Sequence, residues 1–218
     1  MEITWFGLSC FRMTERGVAT IITDPYENTG GLALPRKDAD VVTVSVDLPE
    51  HNNVRGVRAG FKDLTGPGEY EVGGVFITGI DIRPDRKKQE TAPRNTVFVL
   101  DFDGVTVCHL GTLAHVPTQA QVEALGAVNL LLVPVGAEGR LNASQAAEVV
   151  SLLEPNLVVP MHYRLKGLQL KLDPVSKFLK EMGLADLAPQ DTLKVTRTGL
   201  PEETQVVLLE SHGDETTQ

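Results

Sequence analysis

Three apolar runs in this 218-residue chain each give way to a histidine, and no other feature restricts its fold as much. VVTVSVDLPEHNNV, from Val41 to Val54, breaks into a polar loop at Asp47 and presents Glu50 and His51 side by side. VTVCHLG carries His109 and LVVPMHY carries His162. Apolar β-branched runs of this kind read as buried strands of a covered sheet. The repeated exit histidine suggests a site built on one edge of a sheet. Each imidazole there is a candidate metal ligand, or else a hydrogen-bonded residue at a strand end.

The remaining punctuation fills in the layers. ITWF, CFRM, ATIITD and VVTVS are short β-rich runs separated by Gly7, Gly17, and Gly30 with Gly31, which predicts hairpins and then a long loop. Asp24 closes the third run, where its carboxylate serves a turn or backs a ligand histidine. FKDLTGPGEYEVGGVFITGI reads as an antiparallel meander, and the charged stretch from 81 to 95, with Arg86, Lys87 and Lys88, as a solvated loop. TVFVLDFDGVTVCHLG is a hairpin about AspPheAspGly.

Beyond it, strand and helix alternate. Thr118 opens a helix over QAQVEALG, Asn142 and Gln145 have capping-box spacing, and Asp173 with Pro174 starts a helix that Gly183 stops. LKVTR and QVVLLE read as a closing hairpin. Residues 1–210 are expected to form a single domain, with 211–218 a polar, disordered tail that includes His212. Alternation of this kind argues an α/β architecture of layered sheets.

The net charge of -9 argues against a general phosphate-binding surface, so nucleic acid is not an expected partner. No apolar run approaches the ~20 residues of a membrane helix, and MEITWFG starts as a strand, so no membrane association and a cytoplasmic location are expected. Cys10 and Cys108 sit inside apolar strand patterns as buried free thiols without a chemical role.

Taken in order, TWFGLSCF, IITDPY, the His51 loop, GPGEYEVGGVFITGI, VCHLG, LLLVPVG and VVPMHY resemble the metallo-β-lactamase-fold proteins along almost the whole chain. Within that superfamily the motifs are most similar to the compact, UlaG-like metal-dependent hydrolases. The resemblance implies a four-layer αββα sandwich with a metal site at the shared edge of two sheets. The family loop reads His-x-His-x-Asp-His, and those positions here hold Val46, Leu48, Glu50 and His51. The family's HLGD aspartate, which bridges two metals, is replaced by Thr112, and GHSCF by GLSCF with Leu8. Asp81, Pro84 and Asp85 stand where the family often has a further histidine.

Carried over position by position, the first metal keeps only a vestigial His109. The second keeps Glu50, His51 and His162, a set of two histidines and a carboxylate that zinc hydrolases use. A neutral threonine bridges two dications poorly, and Val46 and Leu48 put apolar bulk beside them. His115, before the helix at 119, is expected to pack its loop or to face the pocket. The glycines around 66–74 lack the Lys and Ser/Thr of a phosphate loop, and no nucleophile elbow surrounds Ser9.

Two functions therefore stand side by side. One is a binding, regulatory or assembly protein on a scaffold whose dinuclear centre has decayed and which holds no metal. Its partner would be a small molecule or a protein. The other is a hydrolase of a small ester, lactone or phosphoester with one zinc or manganese ion on Glu50, His51 and His162. A homo-oligomer is compatible with either, given the β-rich first half.

Overall fold

The computed structural model describes residues 1–27, 31–84, 94–136 and 139–215. Period-two alternation in the N-terminal strands sorts side chains to two faces. In β1 (Glu2–Gly7), β2 (Cys10–Thr14), β3 (Ile21–Thr23) and β5 (Val41–Thr43), the residues Ile3, Trp5, Phe11, Met13, Ile21 and Val41 enter the main core. Their neighbours Phe6, Cys10, Ile22 and Val42 point the other way, into a second apolar cluster with Tyr26 and Leu32. Leu165, Leu168 and Leu172 close that cluster from outside.

β13 (Leu193–Lys194) and β6 (Lys62–Leu64) complete this first sheet in the order β13-β1-β2-β3-β5-β6. The second sheet adds β7 (Gly68–Val72), β8 (Val75–Asp81), β9 (Thr96–Phe102), β10 (Val105–His109), β11 (Leu130–Pro134), β12 (Leu157–Met161) and β14 (Gln205–Val206). Its order is β14-β12-β11-β10-β9-β8-β7.

The two sheets share one core, to which the second contributes Val75, Ile77, Phe98 and Leu100 among others. Each such side chain contributes roughly 1.5–3 kcal/mol on leaving water. The helices α1 (Gln119–Leu125), α2 (Ala143–Leu153) and α3 (Val175–Glu181) belong to the second half, with α2 packed on β11 and α3. The expected capping box of Asn142 with Gln145 forms, and Thr118, expected to open α1, makes a second one with Gln121. The β9–β10 turn forms at Asp103 (φ 51°) and Gly104 (φ 82°). The architecture is the layered α/β sandwich the sequence predicts.

Register decides what meets at the sheet edge. β10, β11 and β12 run parallel, with His109 opposite Leu132 and Pro134 opposite Met161, so His109 and His162 leave the second sheet on the same side. In the first sheet β3 and β5 are also parallel, pairing Thr23 with Thr43, and so send Asp24 and Ser45 to one end together.

Three expectations are corrected. β6 pairs in parallel with β5, so 61–80 is not one meander; the ThrGlyPro break at 65–67 moves the chain to the second sheet, where only β7 and β8 form the hairpin. β13 pairs with β1 and β14 with β12, so the closing segments divide between the sheets after the turn Arg197–Gly199. His212 is also placed: its N–H donates to Trp5 O at 2.8 Å, and β15 (Asp214–Glu215) pairs with β4 (Leu32–Ala33). An open strand edge supplies backbone partners that polar side chains alone do not announce. Arg86, Lys87, Lys88 and Asp85 lie outside the described residues. Among the described residues no helix is long and apolar enough to cross a membrane.

Candidate functional site

Asp24 anchors the edge. It adopts φ 39°, a left-handed conformation that aspartate tolerates better than most residues, and its N–H donates to Thr43 O at 2.8 Å. The side chain, fully buried, accepts from Ser45 N–H (2.7 Å) and Ser45 Oγ–H (2.6 Å). It also accepts from His51 Nδ1–H at 2.8 Å. With that proton on Nδ1, His51 Nε2 offers a lone pair, and Arg140 Nη2 donates to it at 3.2 Å. Both nitrogens of this buried imidazole are thus engaged.

His162 follows β12 with φ 54° and donates its N–H to Leu8 O at 3.0 Å; Leu8 itself has φ 47°. Such conformations cost about 1–3 kcal/mol each and persist where the surroundings impose them. They turn the His162 ring parallel to that of His51, with centroids 5.5 Å apart and planes 6° from coincidence. Ser9 Oγ lies 3.2 Å from His162 Nδ1. His109 points elsewhere: Nε2–H donates to Ser9 O at 2.9 Å, and Nδ1 is buried without a partner.

The other expected residues divide between the site and its rim. Thr112 gives both N–H and Oγ–H to Asn95 Oδ1 (2.7 and 3.1 Å), so its hydroxyl is used within its own loop. Gly111 makes this possible. At φ 59° a Cβ there would stand 2.5 Å from both Asn95 Oδ1 and Ser45 Cβ. Val46 is buried, while Leu48 and Glu50 are half-buried in the turn that brings His51 inward. Glu50 is close enough to Arg140 to favour its charge. His115 is half-buried near Gln121 and Arg83. Asp81 pairs with Arg83 and, with Val46 and Arg94, lines a neighbouring cavity of about 470 Å³.

Burial lowers the pKa of His109, and the site's charges only partly offset this. Burial also lowers that of His162, together with the nearby Arg140 and His51. Burial by itself would raise Asp24, but the imidazoles of His51 and His109 and the hydrogen bonds hold it below its ordinary value. In the unfolded chain these histidines take protons near 6.5, whereas the folded protein resists them. Stability is therefore expected to fall as pH drops below about 6.5, and again below about 3.8 as Asp24 protonates. Urea midpoints across pH 8 to 5 read the first loss. His109→Gln, which keeps a donor to Ser9 O, should reduce it and leave the part due to His162.

The β-lactamase superfamily domain matches residues 2–162. The chain belongs to this superfamily. Its fold agrees with that of a Thermotoga maritima protein described as a candidate Zn-dependent hydrolase of the metallo-β-lactamase superfamily. The two are 38% identical with TM-score 0.79, over 95% of this chain and 97% of the other. A UPF0173 protein of Pyrococcus furiosus is 28% identical over 84% of this chain and 90% of its own length. A UPF0173 metal-dependent hydrolase of Methanoculleus marisnigri is 26% identical over 75% and 81%.

The metal that metallo-β-lactamase relatives imply does not fit the side chains present. His51 Nε2 already accepts from a cation, both Asp24 oxygens are taken, and His109 Nε2 faces a carbonyl. Among the described residues no group of three His, Cys, Asp or Glu side chains is placed to hold an ion. Arg140, Ser9, Ser45 and Asn95 were not singled out as site residues by sequence reasoning. Arg140 sits in a polar loop two residues before a helix cap, and nothing in its neighbours marks it.

Proposed function

We propose that this chain uses the metallo-β-lactamase fold as a binding or regulatory scaffold, and that its dinuclear centre has been dismantled. The observation that carries this reading is the hydrogen bond from Arg140 to His51 Nε2, the lone pair a metal would need. Val46, Leu48 and Thr112 at ligand positions of the family motif support it from the sequence side. Without a metal to lower the pKa of a bound water, the superfamily's usual route to a hydroxide nucleophile is missing. The reading extends to a compact, UlaG-like protein of a reducing cytoplasm, which suits two buried free thiols, with Cys108 pushed up to about 12 by burial. Its partner would be a small molecule or a protein held near the sheet edge.

Metal analysis of protein purified without chelator tests this reading. Well below one equivalent of zinc, manganese or iron is expected, with no uptake from excess zinc. Stoichiometric metal lost on His51→Ala or His162→Ala would instead establish a one-metal hydrolase on those residues.

A further inference from the structure

The loop after β11 ends in a fixed mount. Leu141 is fully buried and its N–H donates to Leu113 O at 3.0 Å, and Asn142 caps α2. Arg140, immediately before these two anchors and half-buried, projects toward His51 and loses solvation in doing so. Its Nε is buried without a partner, so the position is not the one its own hydrogen bonding would choose. What compensates is charge: Asp24 and Glu50 both act on it, and Asp24 also holds the far side of the His51 ring. A cation meeting an imidazole lone pair, with a carboxylate behind the imidazole and another beside it, is the environment a metal ion has in a carboxylate–histidine–metal arrangement.

We infer that the Arg140 guanidinium is the resident cation of this site, a covalently attached substitute for the metal. This rests on the reading given above and adds a cause to it: Arg140 both neutralises the inherited carboxylates and keeps metal away from His51. Removing its charge leaves Asp24 and Glu50 uncompensated and frees His51 Nε2 next to His162, two imidazoles that zinc or nickel binds readily. A divalent ion should then take the vacated place.

The test is metal rescue of thermal stability in the full chain. After chelator treatment, Arg140→Met should melt below wild type and recover by about 5–10 °C at a zinc concentration near 100 times Kd. Wild type, and the double variant Arg140→Met with His51→Gln, should not respond. Absence of rescue in a folded Arg140→Met, with wild type also silent, overturns the inference and leaves the metal-free reading intact. A His51-dependent zinc response in wild type overturns that reading instead. If Arg140→Met does not fold, Arg140→Gln, uncharged, polar and two bonds too short to keep the contact with His51 Nε2, decides: a His51-dependent zinc shift supports the substitute-cation role and none overturns it.

Discussion

Asp24→Asn is expected to destabilise the protein by about 3 kcal/mol, seen as a melting temperature roughly 6–12 °C lower. Asparagine tolerates the φ of 39°, so the backbone does not account for the loss. The amide oxygen can still accept from Ser45 N–H, and the amide nitrogen can donate to Ser45 Oγ. At His51, however, an N–H would meet Nδ1–H where a carboxylate oxygen now accepts. The ring escapes by moving its proton to Nε2, and Nε2 then no longer accepts from Arg140. One substitution on β3's exit thus breaks a bond made from the other sheet. Ring ¹⁵N spectra of His51 read the tautomer directly: protonated at Nδ1 in wild type, at Nε2 in the variant. A stability loss without the tautomer change would mean that Asp24 acts only through Ser45.

Much of this arrangement was legible because local signals and tertiary demands agreed. The turn at Asp103 and Gly104, the start of α1 at Thr118, the capping box of α2, and the buried runs ending at His109 and His162 rest on short-range chemistry. What the chain conceals is pairing between distant segments. β6 is a strand in either sheet as far as its residues tell, and only the break at Gly66 and Pro67 assigns it. β13 and β14 lie close in sequence and alternate well, yet each finds a better partner across the molecule. The site shows the same division. An aspartate behind a histidine was one of the two roles that Asp24's place at a strand end allowed, whereas Arg140 was not foreseen, because a guanidinium in a glycine-containing loop has no period and no motif. His109 kept its residue type but turned its Nε2 to Ser9 O, a choice of ring direction that no sequence pattern records.

Trp5→Ala is expected to cost about 3–5 kcal/mol, lowering the melting temperature by about 6–20 °C, with loss of site order as well as of packing. The indole is buried between Phe11 and Tyr163, at ring distances of 6.2 and 5.1 Å. It also donates Nε1–H to Leu8 O at 3.1 Å, the same oxygen that receives His162 N–H. Trp5 therefore holds both left-handed residues at the edge: Leu8 by a hydrogen bond and His162 through Leu8 and the adjoining Tyr163. Trp5→Phe separates packing from this second task. It keeps most of the buried area, leaves Leu8 O with one donor, and should cost only about 1 kcal/mol. If the left-handed pair is what sets the His162 ring against His51, Trp5→Phe should perturb the His162 ring resonances far more than those of His109. Equal perturbation of the two would show that packing around the sheet edge, and not this hydrogen-bonded pair, orients the imidazoles.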